Sequence, residues 1–224
     1  MHPDYEAQAV RDRVFDLKGP WMKHFLVPAA AVLALVTTMG APARATQLEL
    51  GGAVTADFNA GADTLASLQF TNGSTQDIKA GNGMMLSAGA GALFFGPGPH
   101  RLETVLTIGV KYSTMQPASN ADLSFVRVPV ELLGFYRNDD LHFRVGGGGA
   151  LYLVNSLSGS GAATGLDVTF EPAVAGIVEA DFVSKGFFAG LRYTALSLRT
   201  SSSPSFSASS IGVAIGYYYR FPGD

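Results

Sequence analysis

Beyond residue 45 the chain keeps two histidines, His100 and His142, the side chain type best suited to base chemistry near neutral pH. A serine nucleophile needs such a base within hydrogen-bond reach. His100 closes the turn-like stretch Gly96-Pro97-Gly98-Pro99, and Arg144 stands where a His-x-Ser pair starting at His142 would need serine. Neither setting supplies a nucleophile and its base, so no catalytic residue is assigned and no enzymatic activity is expected. Gly146-Gly147-Gly148-Gly149 lacks the Lys-Ser/Thr that completes a phosphate loop. There is no cysteine, hence no disulfide framework and no thiolate metal site. No metal or cofactor is expected.

The chemistry left over is that of charges inside strands. Arg127, Glu131, Arg144, Glu171, Glu179 and Arg192 each sit between apolar neighbours one residue away on either side or on one side. In a strand, successive side chains point to opposite faces. Val126, Val128, Val130 and Leu132 thus oppose Arg127 and Glu131. Phe143 and Val145 oppose Arg144, and Val178 and Phe182 oppose Glu179 and Asp181. Arg192 likewise opposes Leu191 and Tyr193. Charges buried together persist only when paired and hydrogen-bonded. The expectation is a network centred on Glu131, Arg144, Glu171, Glu179 and Arg192, with Arg127 on the same inner face.

Eight segments carry this period-two pattern: about 47–58, 83–95, 101–115, 122–136, 141–155, 166–182, 186–199 and 208–221. Each reaches the 9–11 residues that a tilted strand needs to cross a bilayer. Short turns fall at Gly96 to Pro99, Arg137 to Asp140 and Ser184-Lys185. Longer connections fall at 59–82, 116–121, 157–165 and 200–207. In the first of these, Asn72-Gly73 predicts a small hairpin with Leu65 to Phe70 as one arm. Ser201 to Ser205 reads as a flexible loop. The four glycines at 146–149 predict room for long side chains opposite them.

Composition narrows the class. Charged residues make up 15% of the 224-residue chain, below the ~25% usual for soluble domains. The net charge is −3, which gives no sign of a nucleic-acid partner. Met22 to Ala45 has a basic start, an apolar run from Phe25 to about Val36 and a closing Ala43-Arg44-Ala45. That pattern predicts a cleaved secretory signal peptide, the run being shorter than the ~20 residues of a spanning helix. Residues 1–21 then read as an extension ahead of the true start, 46–221 as the folded unit and 222–224 as a tail.

The end of the chain is the most specific stretch. Ile211, Val213, Ile215, Tyr217, Tyr219 and Phe221 share one face, and Gly216-Tyr217-Tyr218-Tyr219-Arg220-Phe221 has the Gly-x-x-aromatic-x-aromatic form. With the eight-strand pattern, this resembles the small outer-membrane barrels of the OmpA, OmpX and OmpW type. The resemblance covers essentially 46–221, although in that class the last aromatic usually ends the chain, whereas Pro222-Gly223-Asp224 follow here. It implies an all-β fold, an eight-stranded antiparallel up-and-down transmembrane barrel in the bacterial outer membrane. It also implies an assembly signal at Gly216, Tyr219 and Phe221 read by the barrel assembly machinery. Expected partners are outer-membrane lipid, lipopolysaccharide and surface ligands at loops 59–82, 157–165 and 200–207.

Eight strands enclose an interior that side chains can fill, or that holds one small ligand. Three roles follow: a structural or surface barrel with a filled charged lumen, a narrow channel for small or hydrophobic solutes, and a secreted soluble ligand-binding barrel.

Overall fold

The computed structural model describes residues 48–69, 75–95, 98–115, 121–161, 163–201 and 203–221. The signal peptide and extension expected within 1–45, and the tail 222–224, lie outside them. Every regular element among the described residues is a strand: β1 (Leu48–Ala60), β2 (Thr64–Gln69), β3 (Thr75–Lys79), β4 (Gly83–Phe95), β5 (His100–Met115), β6 (Ala121–Asn138), β7 (Phe143–Gly161), β8 (Val168–Thr169), β9 (Ala173–Ser184), β10 (Phe187–Thr200), β11 (Ser203–Ser207) and β12 (Ser210–Arg220).

Eight of them close a ring. β1 pairs with β4, β4 with β5, β5 with β6, β6 with β7, β7 with β9, β9 with β10 and β10 with β12, all antiparallel. The last strand returns to the first, with Gly51 opposite Arg220 and Ala60 opposite Ile211. Closure leaves no sheet edge, the condition for strands to stand in lipid.

The two faces of the ring differ as the alternation requires. Outward Leu106, Ile108, Leu132, Val178, Leu191 and Ile211 are all more than half exposed, whereas inward Asp57 and Arg127 are 0% exposed and Glu131 is 1% exposed. A soluble barrel would reverse this assignment of apolar and charged residues. The outward face of β5 is apolar from Leu102 to Tyr112 apart from Thr104. Ten residue steps at ~3.4 Å, tilted by ~40°, span roughly 26 Å, the height of an apolar membrane band. Aromatic side chains mark both ends of that band. Tyr136, Phe182, Phe187, Tyr219 and Phe221 lie exposed toward the short turns, and Phe58, Tyr112 and Tyr193 toward the long loops. Phe94 and Tyr217 are half-buried beside the first group. The architecture is that of an eight-stranded transmembrane β-barrel.

Turn chemistry explains one end. Lys185 and Gly186, with φ of 50° and 90°, form the two-residue connection of the β9–β10 hairpin. Two positive φ values in a row are what a hairpin turn matching strand twist demands, and Gly adopts them without strain. At the β6–β7 turn, Asn138 Oδ1 accepts from the backbone N–H groups of Asp140 and Leu141 at 3.1 and 3.0 Å. His142, inside the segment expected as a strand over 141–155, instead sits exposed in that turn with φ 51°.

The long-loop end is more ordered than the sequence suggested. β2 and β3 form the expected small hairpin. The Ser-rich stretch is not an open loop: Ser203–Ser207 pairs back onto β10. The segment expected as one strand over 166–182 is interrupted, because Pro172 has no N–H to donate to a ladder and the strand restarts at Ala173. Phe170 therefore does not face outward; it is buried, 5.7 Å from the Phe125 ring and 6.3 Å from the Phe206 ring. Pro129 has a similar local effect. Val128 opposes Val154 while Pro129 opposes Tyr152, so Leu153 is an extra residue bulged out of β7. The bulge switches parity, and Asn155 and Leu157 turn inward beyond it.

Candidate functional site in the lumen

Following the inward face of β6 from the loop end gives Leu123, Phe125, Arg127, Glu131, Leu133, Phe135 and Arg137, all buried. The barrel interior is built in tiers that follow this order.

The central tier is organised by Arg192 on β10. Its Nη1 donates to Asp57 on β1 at 2.9 Å, its Nη2 lies 3.2 Å from Glu131 on β6, and its Nε donates to Glu179 on β9 at 2.6 Å. Thr107 adds a long hydroxyl contact to Glu131 at 3.5 Å. Nearer the short turns, Arg144 on β7 donates to Glu103 on β5 at 2.6 Å, to Glu179 at 3.2 Å and to Asp181 at 2.7 Å. Glu179 thus joins the two guanidiniums. A guanidinium has five N–H donors in one plane, and each arginine uses them to bind three carboxylates.

The planar face of Arg144 is used as well. Its guanidinium carbon lies 4.1 Å from the Phe135 ring centroid and 3.8 Å from that of Phe188. Bulky rings fit here because glycines face them. A Cβ on Gly146 would collide with the Phe135 ring and the Gly134 carbonyl, and one on Gly216 with the Phe188 ring. Tyr218 occupies the space left by Gly51 and Gly91 in the same way. Between the two arginines the cavity bordered by Glu131, Arg144, Glu179, Phe135 and Arg192 has room for about one water molecule. At the turn-end rim the pairs begin to reach solvent: buried Arg137 with partly exposed Asp139 at 2.7 Å, Arg101 with Asp139 at 3.4 Å and the more open Arg220 with Glu49 at 3.4 Å.

Two residues expected in the network lie elsewhere. Glu171 is exposed and works through its backbone: its N–H donates to the Arg199 carbonyl at 2.8 Å, and its own carbonyl accepts from Asn155 Nδ2 at 3.2 Å. The break at Pro172 removes it from the inward parity that β9 would have given it. Arg127 is fully buried but holds no carboxylate. Its Nη1 donates to the Ala80 carbonyl at 2.6 Å and its Nη2 to the Asn82 carbonyl. Asp57, Glu103 and Asp181 complete the network from β1, β5 and β9, and nothing in a single strand shows that they share Arg192 and Arg144.

Above Arg127 the interior becomes apolar. Ile78, Leu123, Phe125, Leu157, Phe170 and Leu198 form a buried cluster under the loops. Backbone bonds tie the segments over it: Asp63 N–H to the Ser207 carbonyl at 3.1 Å, Phe170 N–H to Asn155 at 2.8 Å and Ala208 N–H to Leu196 at 2.8 Å. Ser207 N–H returns a bond to the Asp63 carboxylate at 2.8 Å.

Of the C-terminal motif, Tyr219 and Phe221 face outward, each 52% exposed, with ring centroids 5.9 Å apart. His100 Nδ1 is 2.6 Å from the Tyr136 hydroxyl on the same rim.

Closure, an apolar exterior and a charged interior define the class: the fold is that of the small eight-stranded outer-membrane β-barrels. The structures it is similar to include Ail, the attachment invasion locus protein of Yersinia pestis, in complex with the heparin analogue sucrose octasulfate. That match has 9% identity and a TM-score of 0.45 over 77% of this chain and 99% of Ail. Neisserial surface protein A is matched at 11% identity and a TM-score of 0.39, over 80% of this chain and all of that one. The translocator domain of the autotransporter NalP from Neisseria meningitidis is matched at 11% identity and a TM-score of 0.29, over 86% and 98%. No family model and no curated protein matches the sequence.

Proposed function

We propose that this protein is a structural and surface-exposed outer-membrane barrel whose lumen is a cross-linked ionic core rather than a conduit. The observation that carries the reading is the pair Arg144 and Arg192. Between them they hold five carboxylates from β1, β5, β6 and β9. Moving either aside to let a solute pass would strand several buried charges at once. The apolar cluster beneath the loops adds a second obstruction. The apolar exterior argues for lipid over the secreted soluble alternative.

In this reading the short turns face the periplasm and the loops the outside. Tyr219 and Phe221, with Gly216, present the C-terminal strand to the assembly machinery, and the outer band contacts phospholipid and lipopolysaccharide. Exposed Asp63, Asp77, Asp122, Asp167 and Glu171 outnumber Lys79 and Arg199 at the loop end. A surface partner there is cationic or neutral rather than a polyanion. No catalysis is assigned, since His142 lies in an exposed turn and His100 is engaged with Tyr136.

The test is single-channel conductance of the refolded protein in a planar bilayer. Insertion with only rare, small openings is expected. Steady discrete steps would establish the narrow-channel alternative. A water-soluble folded product that does not insert would overturn the membrane assignment, and loss of an enzymatic activity in His142→Ala would overturn the non-catalytic one.

A further inference from the structure

The first long connection is the β1–β4 hairpin carried on past a bend. β1 and β4 pair up to Asn59 opposite Gly83, and β2 and β3 resume the pairing from Thr64 opposite Lys79. The two pairs nevertheless belong to separate sheets. Both arms break at one level. On the way up, Gly61 and Ala62 have φ of 133° and 76°; on the way back, Gly83 has φ of 133°. Glycine takes such values without strain, but Ala62 is held where L side chains are uncommon. Strained positions of this kind gather at segments that switch. At Gly81 the bend is tight for another reason: a Cβ there would meet the Ser209 carbonyl at 2.5 Å and the Gly61 carbonyl at 2.8 Å.

Beyond the bend the arms are amphipathic. Asp77 and Lys79 are exposed, while Ile78 and Ala80 are buried in the apolar cluster and Ala62, Leu65 and Ala66 pack against it. The arms hold each other: Ala80 N–H donates to the Asp63 carbonyl at 2.9 Å, and the Ser67 hydroxyl donates to Asp77. Asn82 Oδ1 accepts the Gly61 N–H at 2.9 Å and so pins one bend to the other. Among the described residues, the polar ties from the arms to the wall are of two kinds. Asp63 and Ser207 exchange bonds at an exposed place. Arg127 on β6, 0% exposed, donates from Nη1 to the Ala80 carbonyl at 2.6 Å and from Nη2 to the Asn82 carbonyl. Its guanidinium carbon lies 4.5 Å from the Phe125 ring centroid. Bonds from a charged donor out of reach of water are the stronger kind.

We propose that the arms 62–67 and 77–80 form a lid hinged at Gly61 and Gly83, with Arg127 as its latch. The lid lifts away from the mouth as one unit when both guanidinium bonds break, and uncovers the apolar cup of Leu123, Phe125, Leu157 and Leu198. The assignment follows from what each arginine holds. Arg144 and Arg192 join strands that the ring already pairs, whereas Arg127 reaches from the wall to a segment outside the ring. Its release is also the least costly of the three, because lifting the lid admits water to the freed donors and carbonyls. The ionic tier beneath stays in place, so the lid governs access to the cup and not passage through the barrel.

The test is amide hydrogen exchange, read residue by residue by NMR on the full refolded protein in detergent micelles. The lid amides, Asp63 and Ala80 among them, should share one opening constant and exchange faster than the amides of β5 and β6 in the membrane band. Arg127→Met removes both latch bonds and keeps the bulk against Phe125. It should raise the lid opening constant about 10- to 100-fold and leave the band amides unchanged. Arg127→Lys, a point charge without the fork, should fall between. Lid exchange unchanged in Arg127→Met would overturn the latch. Equal acceleration of the β5 and β6 amides would overturn it too, because a residue that merely supports the wall loosens the whole barrel. Unrelated opening constants within the lid would overturn the single hinged unit. Asp63→Cys with Ser207→Cys tests the hinge with Arg127 in place, in a chain that has no other cysteine. Its disulfide should slow exchange at Ala80 about tenfold or more relative to the reduced form. Exchange at Ala80 that ignores the disulfide would mean that no lid lifts.

Discussion

Below Arg127 the barrel interior is built on guanidinium and carboxylate groups with Leu133, Phe135, Phe188 and Tyr218 packed among them; above it, on Leu123, Phe125, Leu157, Phe170 and Leu198 without an ion pair between them. The two regions occupy one continuous tube and differ in what surrounds them. The ionic tier is ringed by a wall whose outer side is apolar, so its charges cannot reach water and must satisfy one another. The apolar tier stands under loops whose outer surface is polar, such as Asp63, Asp77 and Asp122, and folds as an ordinary core does. The same alternation thus yields an inverted protein in one stretch and a conventional one in the next. The junction falls at Arg127, whose guanidinium lies against the Phe125 ring and donates to the Ala80 and Asn82 carbonyls.

The strongest way to break this comparison is to remove a central cation. Arg192→Met leaves Asp57, Glu131 and Glu179 without their shared partner, and should cost about 3–5 kcal/mol in a urea unfolding titration. A cost near zero would mean that the network adds nothing to stability. In the cap, Phe125→Ala should lose about 3–4 kcal/mol of local packing. Its signature should differ, because limited proteolysis would cut the loop segments while the strands of the membrane band stay protected. Equal protease resistance of the cap and the barrel would show one cooperative unit instead of two.

Two glycines sharpen the contrast between inner and outer faces. Gly146→Ala puts a methyl into the Phe135 ring and the Gly134 carbonyl and should destabilise by about 1–3 kcal/mol. Gly176→Ala meets nothing within 4 Å on the outer side of β9, and should be neutral or stabilise by about 0.4–1 kcal/mol. If the two variants unfold at the same denaturant concentration, the claim that glycines admit the lumen rings is wrong. Asp139→Ala at the exposed rim should have the smallest effect, at most about 1 kcal/mol and screened by salt.

Much of this was legible before any coordinates, and the reason is the two-residue period. A strand that must show lipid on one side and charge on the other writes that requirement into every second residue. Strand parity therefore places Arg144, Arg192, Glu131 and Glu179 on one face without knowledge of the neighbours. It fails where the backbone departs from the period. Pro172 interrupts the run that would have carried Glu171 inward, and the bulge opposite Pro129 reverses parity in β7, so Asn155 and Leu157 point in. The Ser201 to Ser205 stretch read as loop because its pairing partner, β10, is stated nowhere in its own composition.

The sequence alone determined the eight ring strands, most of their inner and outer faces and the position of the short turns. Each is a local consequence of side-chain alternation and turn chemistry. Only the tertiary structure decided which carboxylate each guanidinium binds and why Arg127 grips loop carbonyls. Those outcomes depend on strand stagger around the closed ring, which brings residues from β1, β6, β9 and β10 to one level. Stagger is a property of the whole ring, and no single strand encodes it.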